Sequence, residues 1–135
     1  MPKRNDVEKL ISGIMKEVQN RSGNNCLDIL FRTFYYDCKP FSKIISDLNG
    51  DDIDYSKSPI YLSQTAYLNN IKHIDQFALR LGELSFSGWK LNSFKPQKQK
   101  PQVDFRQKGV DMKIGLDMAW MAGKKTVDKI SYRRF

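Results

Sequence analysis

Apolar residues at Val7, Leu10, Ile11, Ile14 and Val18 recur at steps of three and four through residues 5–19. That spacing marks one face of an amphipathic helix, with Asn5 or Asp6 as its cap and Glu8 in its first turn. RSGNN breaks the pattern. The run LDILFRTFYYD is dense in aromatic and branched residues and predicts a buried strand ending at Asp37, closed by Cys38-Lys39-Pro40. Residues 42–58 are polar and predict a loop. Pro59 then opens YLSQTAYLNNI as a helix with proline in its first turn, and Leu62, Ala66 and Asn69 or Asn70 share one side.

Further on, FALRLGEL alternates Phe77, Leu79 and Leu81 against Ala78, Arg80 and Gly82, a period-two strand. Ser87-Gly88 predicts a turn and WKLNSF a partner strand, giving an inserted β-hairpin. KPQKQKPQ reads as an extended, lysine-rich connection. The last helix carries Val110, Ile114, Met118 and Met121 as its apolar stripe and ends at Gly123 and two lysines. VDKI would begin a further strand. Helices alternating with buried strands predict one α/β domain with a mostly parallel central sheet over 1–135. So few strands would leave the sheet unfinished, with an edge through which the chain could form a homo-oligomer.

Composition narrows the class. At 40% hydrophobic and 12% aromatic, the 135 residues can build a core. No apolar run reaches the length of a membrane span, and no apolar stretch follows the charged start, so neither an anchor nor a signal peptide is expected. Cys26 and Cys38 form no CxxC and there is one histidine, His73. That pattern excludes a zinc site and a disulfide framework and fits a reducing cytoplasm. DLNGDD looks like a calcium loop, but Asp52 and Ser58 stand where such a loop needs glycine and glutamate.

Charge points to a polyanion. The net charge is +8, and between Trp89 and Lys108 six positive residues face one acid, Asp104. Lys98, Lys100, Arg106 and Lys108 are the candidates for a nucleic-acid backbone, with Tyr35, Trp89 and Phe94 as aromatics that could stack on bases. A solvated basic surface and ordinary core aromatics account for the same residues. Asp104 reads as an N-cap or loop acid.

Asp111 and Asp117 lie on the last helix, just behind this basic stretch. At about 100° per residue they point about 120° apart. Asp111 suits the positive end of the helix dipole, and Asp117 would be an exposed mid-helix acid. The alternative is a hard cation, Mg²⁺ or Mn²⁺, held by carboxylates converging from several elements. Asp37, at the carboxyl end of a buried strand, is a further candidate ligand.

FYYDCKPF (34–41), ALRLGELSFSGWKL (78–91) and above all FRQKGVDMKIGLDMAWMAGKKTVDKI (105–130) resemble the NYN-domain family. These are PIN-like proteins with a three-layer α/β/α fold, related to metal-dependent ribonucleases. The resemblance spans about residues 5–130. It implies RNA as partner, Mg²⁺ or Mn²⁺ as cofactor, phosphodiester hydrolysis by a metal-activated water, and Asp111 as the catalytic metal ligand, with Asp117 as the second acid of that helix. Lys108, Arg106 and the lysine-rich linker would approach the RNA. Family members usually begin with a strand ending in aspartate-glycine and continue into a GDSDF-like motif. Here the chain starts after the first, and SYRRF stands at the second. The resemblance therefore implies a member shortened at both ends, with doubtful activity. A non-catalytic RNA-binding or protein-interaction fragment is the alternative.

Overall fold

A computed structural model describes residues 2–23, 28–90 and 102–134. They form a mixed α/β structure: α1 (Arg4–Ser22), β1 (Thr33–Cys38), β2 (Ile44–Ser46), β3 (Asp52–Asp54), a 3₁₀ turn (Tyr55–Lys57), α2 (Pro59–Ile71), β4 (Phe77–Lys90), β5 (Gln102–Lys108) and α3 (Val110–Lys124). No helix among the described residues is long and apolar enough to cross a membrane.

The long strand β4 is the spine. β1 runs parallel to its first half, with Thr33 opposite Phe77 and Cys38 opposite Gly82. β5 runs antiparallel to its second half, from Glu83 opposite Lys108 to Lys90 opposite Gln102. The sheet, ordered β1-β4-β5, is thus mixed rather than mostly parallel. The expected hairpin around Ser87-Gly88 does not form. The chain stays extended there, and the pair becomes an irregularity between Phe86 and Trp89 inside β4. A bulge absorbs one local kink without reversing the strand.

Helices lie on both faces. On one, Val7 of α1 and Tyr67, Leu68 and Ile71 of α2 pack with Ile74 into the buried core, against Tyr35, Phe77, Leu79 and Leu81 of the sheet. Tyr35 meets Tyr67 edge-on and shares a hydroxyl–hydroxyl hydrogen bond of 3.2 Å with it. α3 covers the other face, where Tyr36 and Arg80 project. Alternation along the strands separates these two sets.

Several local expectations are corrected. α1 starts one residue earlier than expected, capped from Lys3, whose backbone N–H donates to Asp6 (2.8 Å). β1 begins at Thr33, where pairing with β4 starts, so Ile29 and Phe31 stay exposed. α2 buries Tyr67, Leu68 and Ile71, while Leu62, Ala66, Asn69 and Asn70 face outward. Its cap is Ser58, whose hydroxyl accepts from the Tyr61 N–H. Residues 42–58 are not a plain loop. β2 and β3 pair as a small hairpin, and Asp47 ties its turn by accepting from the backbones of Asn49 and Asp51. Asp104 is neither cap nor loop acid but part of β5. VDKI forms no strand. Cys38 is buried as expected, whereas Cys26, Phe94, Lys98 and Lys100 lie outside the described residues.

Candidate nucleic-acid interface

Beyond Gly82, β4 pairs among the described residues only with β5, making a two-stranded ribbon. Residues opposite one another on paired strands share a face. Leu84, Phe86, Trp89, Val103 and Phe105, with Gln107 at one end, therefore form one, and Glu83, Ser85, Lys90, Gln102, Asp104, Arg106 and Lys108 the other. The apolar face is closed at Phe105, which packs against Phe41 and Tyr55 (ring centroids 4.8 and 5.6 Å). Phe86 and Trp89 stack edge-on at 5.9 Å, with Phe86 partly open to solvent. On the polar face Lys90 is engaged by Asp104 at 3.2 Å. Arg106 and Lys108 are exposed and make no ion pair among the described residues. Of the expected basic residues, Arg106 and Lys108 thus fall on one face of β5. Of the expected stacking aromatics, Tyr35 is committed to the core and Trp89 lies half-buried on the ribbon.

The step from ribbon to helix needs two glycines. Gly109 precedes α3 with φ +86°, a conformation that costs a side-chain-bearing residue. Gly82 lies where this turn passes closest to the sheet. A Cβ there would come 2.5 Å from the Lys108 carbonyl oxygen and 2.7 Å from the Val110 side chain. α3 then packs Val110, Ile114, Met118 and Met121 inward, as the periodicity predicts. Lys113 is pinned by donating its ammonium to the Leu81 carbonyl at 2.6 Å.

The three candidate aspartates are not brought together. Asp111 is exposed in the first turn of α3 and accepts no hydrogen bond from the described residues. Asp117, expected outside, faces the sheet. Its carboxylate accepts from the Tyr36 hydroxyl (2.8 Å) and from Arg80 through Nε (3.0 Å) and Nη2 (2.8 Å). Burial opposes its ionisation, but these hydrogen bonds and the charges of Arg80 and Lys113 hold its pKa below the usual carboxylate value. Burial, and then the Asp117 carboxylate, push the Tyr36 phenol up, so it stays a donor. Asp37 projects from the opposite face, bound by Gln64 of α2 (3.3 Å) and by the Cys38 N–H (2.7 Å).

A hard cation needs several open carboxylate oxygens on one side. Here the sheet separates Asp37 from Asp117, and Arg80 and Tyr36 occupy Asp117. Among the described residues no group of three or more metal-ligating side chains is close enough to hold an ion. These residues, as placed, do not make a Mg²⁺ or Mn²⁺ site, so no hydrolytic step follows from them. Tyr36 and Arg80 were not foreseen as partners of Asp117. They are opposite each other only through the parallel register of β1 and β4, which no local pattern announces.

Compared with known proteins, the chain matches no family model, no curated protein and no solved structure.

Proposed function

We propose that the chain is an NYN-like, PIN-related domain that binds single-stranded RNA without cleaving it efficiently. The observation that carries this reading is the β4–β5 ribbon. On one face it carries two cations, Arg106 and Lys108, that make no ion pair among the described residues, and on the other an aromatic face with Phe86 and Trp89 at its margin. Cations on one side fix phosphates, and an aromatic at the margin offers a flat surface for a base. The family assignment rests on the KGVD and KIGLDMA motifs. A basic strand running directly into the helix that carries Asp111 supports it.

Hydrolysis is the second reading, favoured by the exposure of Asp111 next to this ribbon. A divalent ion bound there would supply an activated water, but Asp111 would need further carboxylates to hold it.

The test is fluorescence anisotropy of a labelled single-stranded RNA across a salt series. Binding should weaken steeply with salt. Arg106→Gln with Lys108→Gln should lower the log–log salt slope by about 1.4, two single-strand phosphate contacts. Salt-insensitive binding, no binding at low salt, or a slope unchanged in the double variant would overturn the proposal.

A further inference from the structure

β1 is an edge strand. Among the described residues β4 pairs with one side of it and no strand with the other. The parallel register fixes which backbone groups are left over. The Thr33 N–H donates to the Gln76 carbonyl (2.7 Å) and the Lys39 N–H to the Gly82 carbonyl (3.1 Å). Backbone groups alternate sides along a strand, so Thr33, Tyr35, Asp37 and Lys39 address β4, while Phe34, Tyr36 and Cys38 address the open side. The Cys38 N–H is taken by the Asp37 carboxylate at 2.7 Å. The backbone N–H and C=O groups of Phe34 and Tyr36 have no partner among the described residues. Nothing within Thr33–Cys38 guards them, for the strand has no proline, no lysine and no bulge. The edge at β5 is guarded, by Arg106 and Lys108.

We propose that the open edge of β1 is a homodimer interface, in which β1 of one copy pairs antiparallel with β1 of another and Tyr35 lies at the two-fold axis. Both copies offer the same edge, so the contact must be self-complementary. The hydrogen bonding is. With the axis at Tyr35, Phe34 of each copy stands opposite Tyr36 of the other, and the unpaired N–H and C=O groups of both residues are all satisfied. The charges are as well. Asp37 is the only charged residue of β1 and stands opposite Thr33 of the other copy, whose hydroxyl can donate to it. The two Asp37 side chains stay about 14 Å apart along the ladder. On the α3 face the half-buried Phe34 and Tyr36 make aromatic cross-strand pairs. An axis at Phe34 would call on Arg32, outside the strand, and one at Tyr36 on the Cys38 N–H that Asp37 already holds. Two three-stranded sheets join into one of six strands. The contact is one strand wide, so the dimer is a weak one that dissociates on dilution.

Sedimentation equilibrium of the full chain over a wide concentration range tests this, with circular dichroism to follow the fold. A monomer–dimer equilibrium is expected. Phe34→Pro removes an N–H that no bond within one copy uses, so it should abolish the dimer and leave the spectrum unchanged. Thr33→Asp sets like charges opposite each other at both ends of the ladder and should weaken the dimer about tenfold. Thr33→Lys sets opposite charges there and should tighten it by a similar factor. Should the proline variant unfold, the two Thr33 variants decide alone. A monomer at every concentration overturns the proposal. So does a dimer indifferent to Phe34→Pro in a folded chain, as pairing through β5 would give. Thr33 variants that leave the dimer unmoved, or shift it in the same direction, overturn it too.

Discussion

Replacing Asp117 by asparagine keeps the side chain's size and removes its charge. In the native chain the carboxylate is largely covered, with its side chain 17% exposed, and it gathers three hydrogen bonds from Tyr36 and Arg80. A hydrogen bond to an ionised acceptor contributes about 1.5–3 kcal/mol when protected. The ion pair to Arg80, itself half-exposed, adds at most about 1 kcal/mol. Asparagine can still accept from Tyr36, as a neutral acceptor, but its amide turns donors toward the Arg80 donors. The net loss should be about 2 kcal/mol. With a urea slope of about 2 kcal/mol/M, the unfolding midpoint should fall by about 1 M at unchanged slope. A cycle of Tyr36→Phe and Asp117→Ala should show coupling of about 1 kcal/mol, as expected for residues in contact.

The pH dependence follows from the depressed Asp117 pKa. Its contribution is fully present above the unfolded-state value of about 3.9 and is lost as pH falls through the lower folded-state value. The stability gap between the native chain and Asp117→Asn should therefore be flat around neutrality and close only in that acidic window. A midpoint that stays put or rises in Asp117→Asn would refute the reasoning. Such a result is what a carboxylate crowded by other acids, as in an empty metal site, would give.

Gly82→Ala should destabilise by about 1–3 kcal/mol, because its Cβ meets the Lys108 backbone as well as Val110. Gly13→Ala, in the open interior of α1, should instead stabilise by about 0.5–1 kcal/mol, and thermal denaturation of both separates close approach from general glycine effects. Purified chain incubated with RNA and Mn²⁺ should show little cleavage, and Asp111→Asn should abolish whatever specific cleavage appears. Cleavage that persists unchanged in that variant would assign it to a contaminant or to other residues.

Much of the local structure was legible along the chain. The 3.6-residue periods of α1 and α3, the proline start of α2 and the alternation in Phe77–Leu81 are short-range patterns set by side-chain spacing, and each element formed where its pattern lay. The inward stripe of α3 followed for the same reason. What failed depended on partners distant in sequence. Ser87-Gly88 has the composition of a turn, yet β5 supplies a strand opposite both of its flanks and holds β4 extended. Leu62 and Ala66 look like a helix face, but the sheet packs against Tyr67, Leu68 and Ile71. Asp117 shows the division most clearly. Its position on a helix could be counted, and so could its angle from Asp111. Its chemistry could not, because the parallel register that sets Tyr36 beside Arg80 joins residues 44 apart in the chain. Chain order alone sets a basic, aromatic stretch before a helix bearing two acids. Packing of that helix on the sheet leaves Asp111 open to solvent and neutralises Asp117 against Arg80.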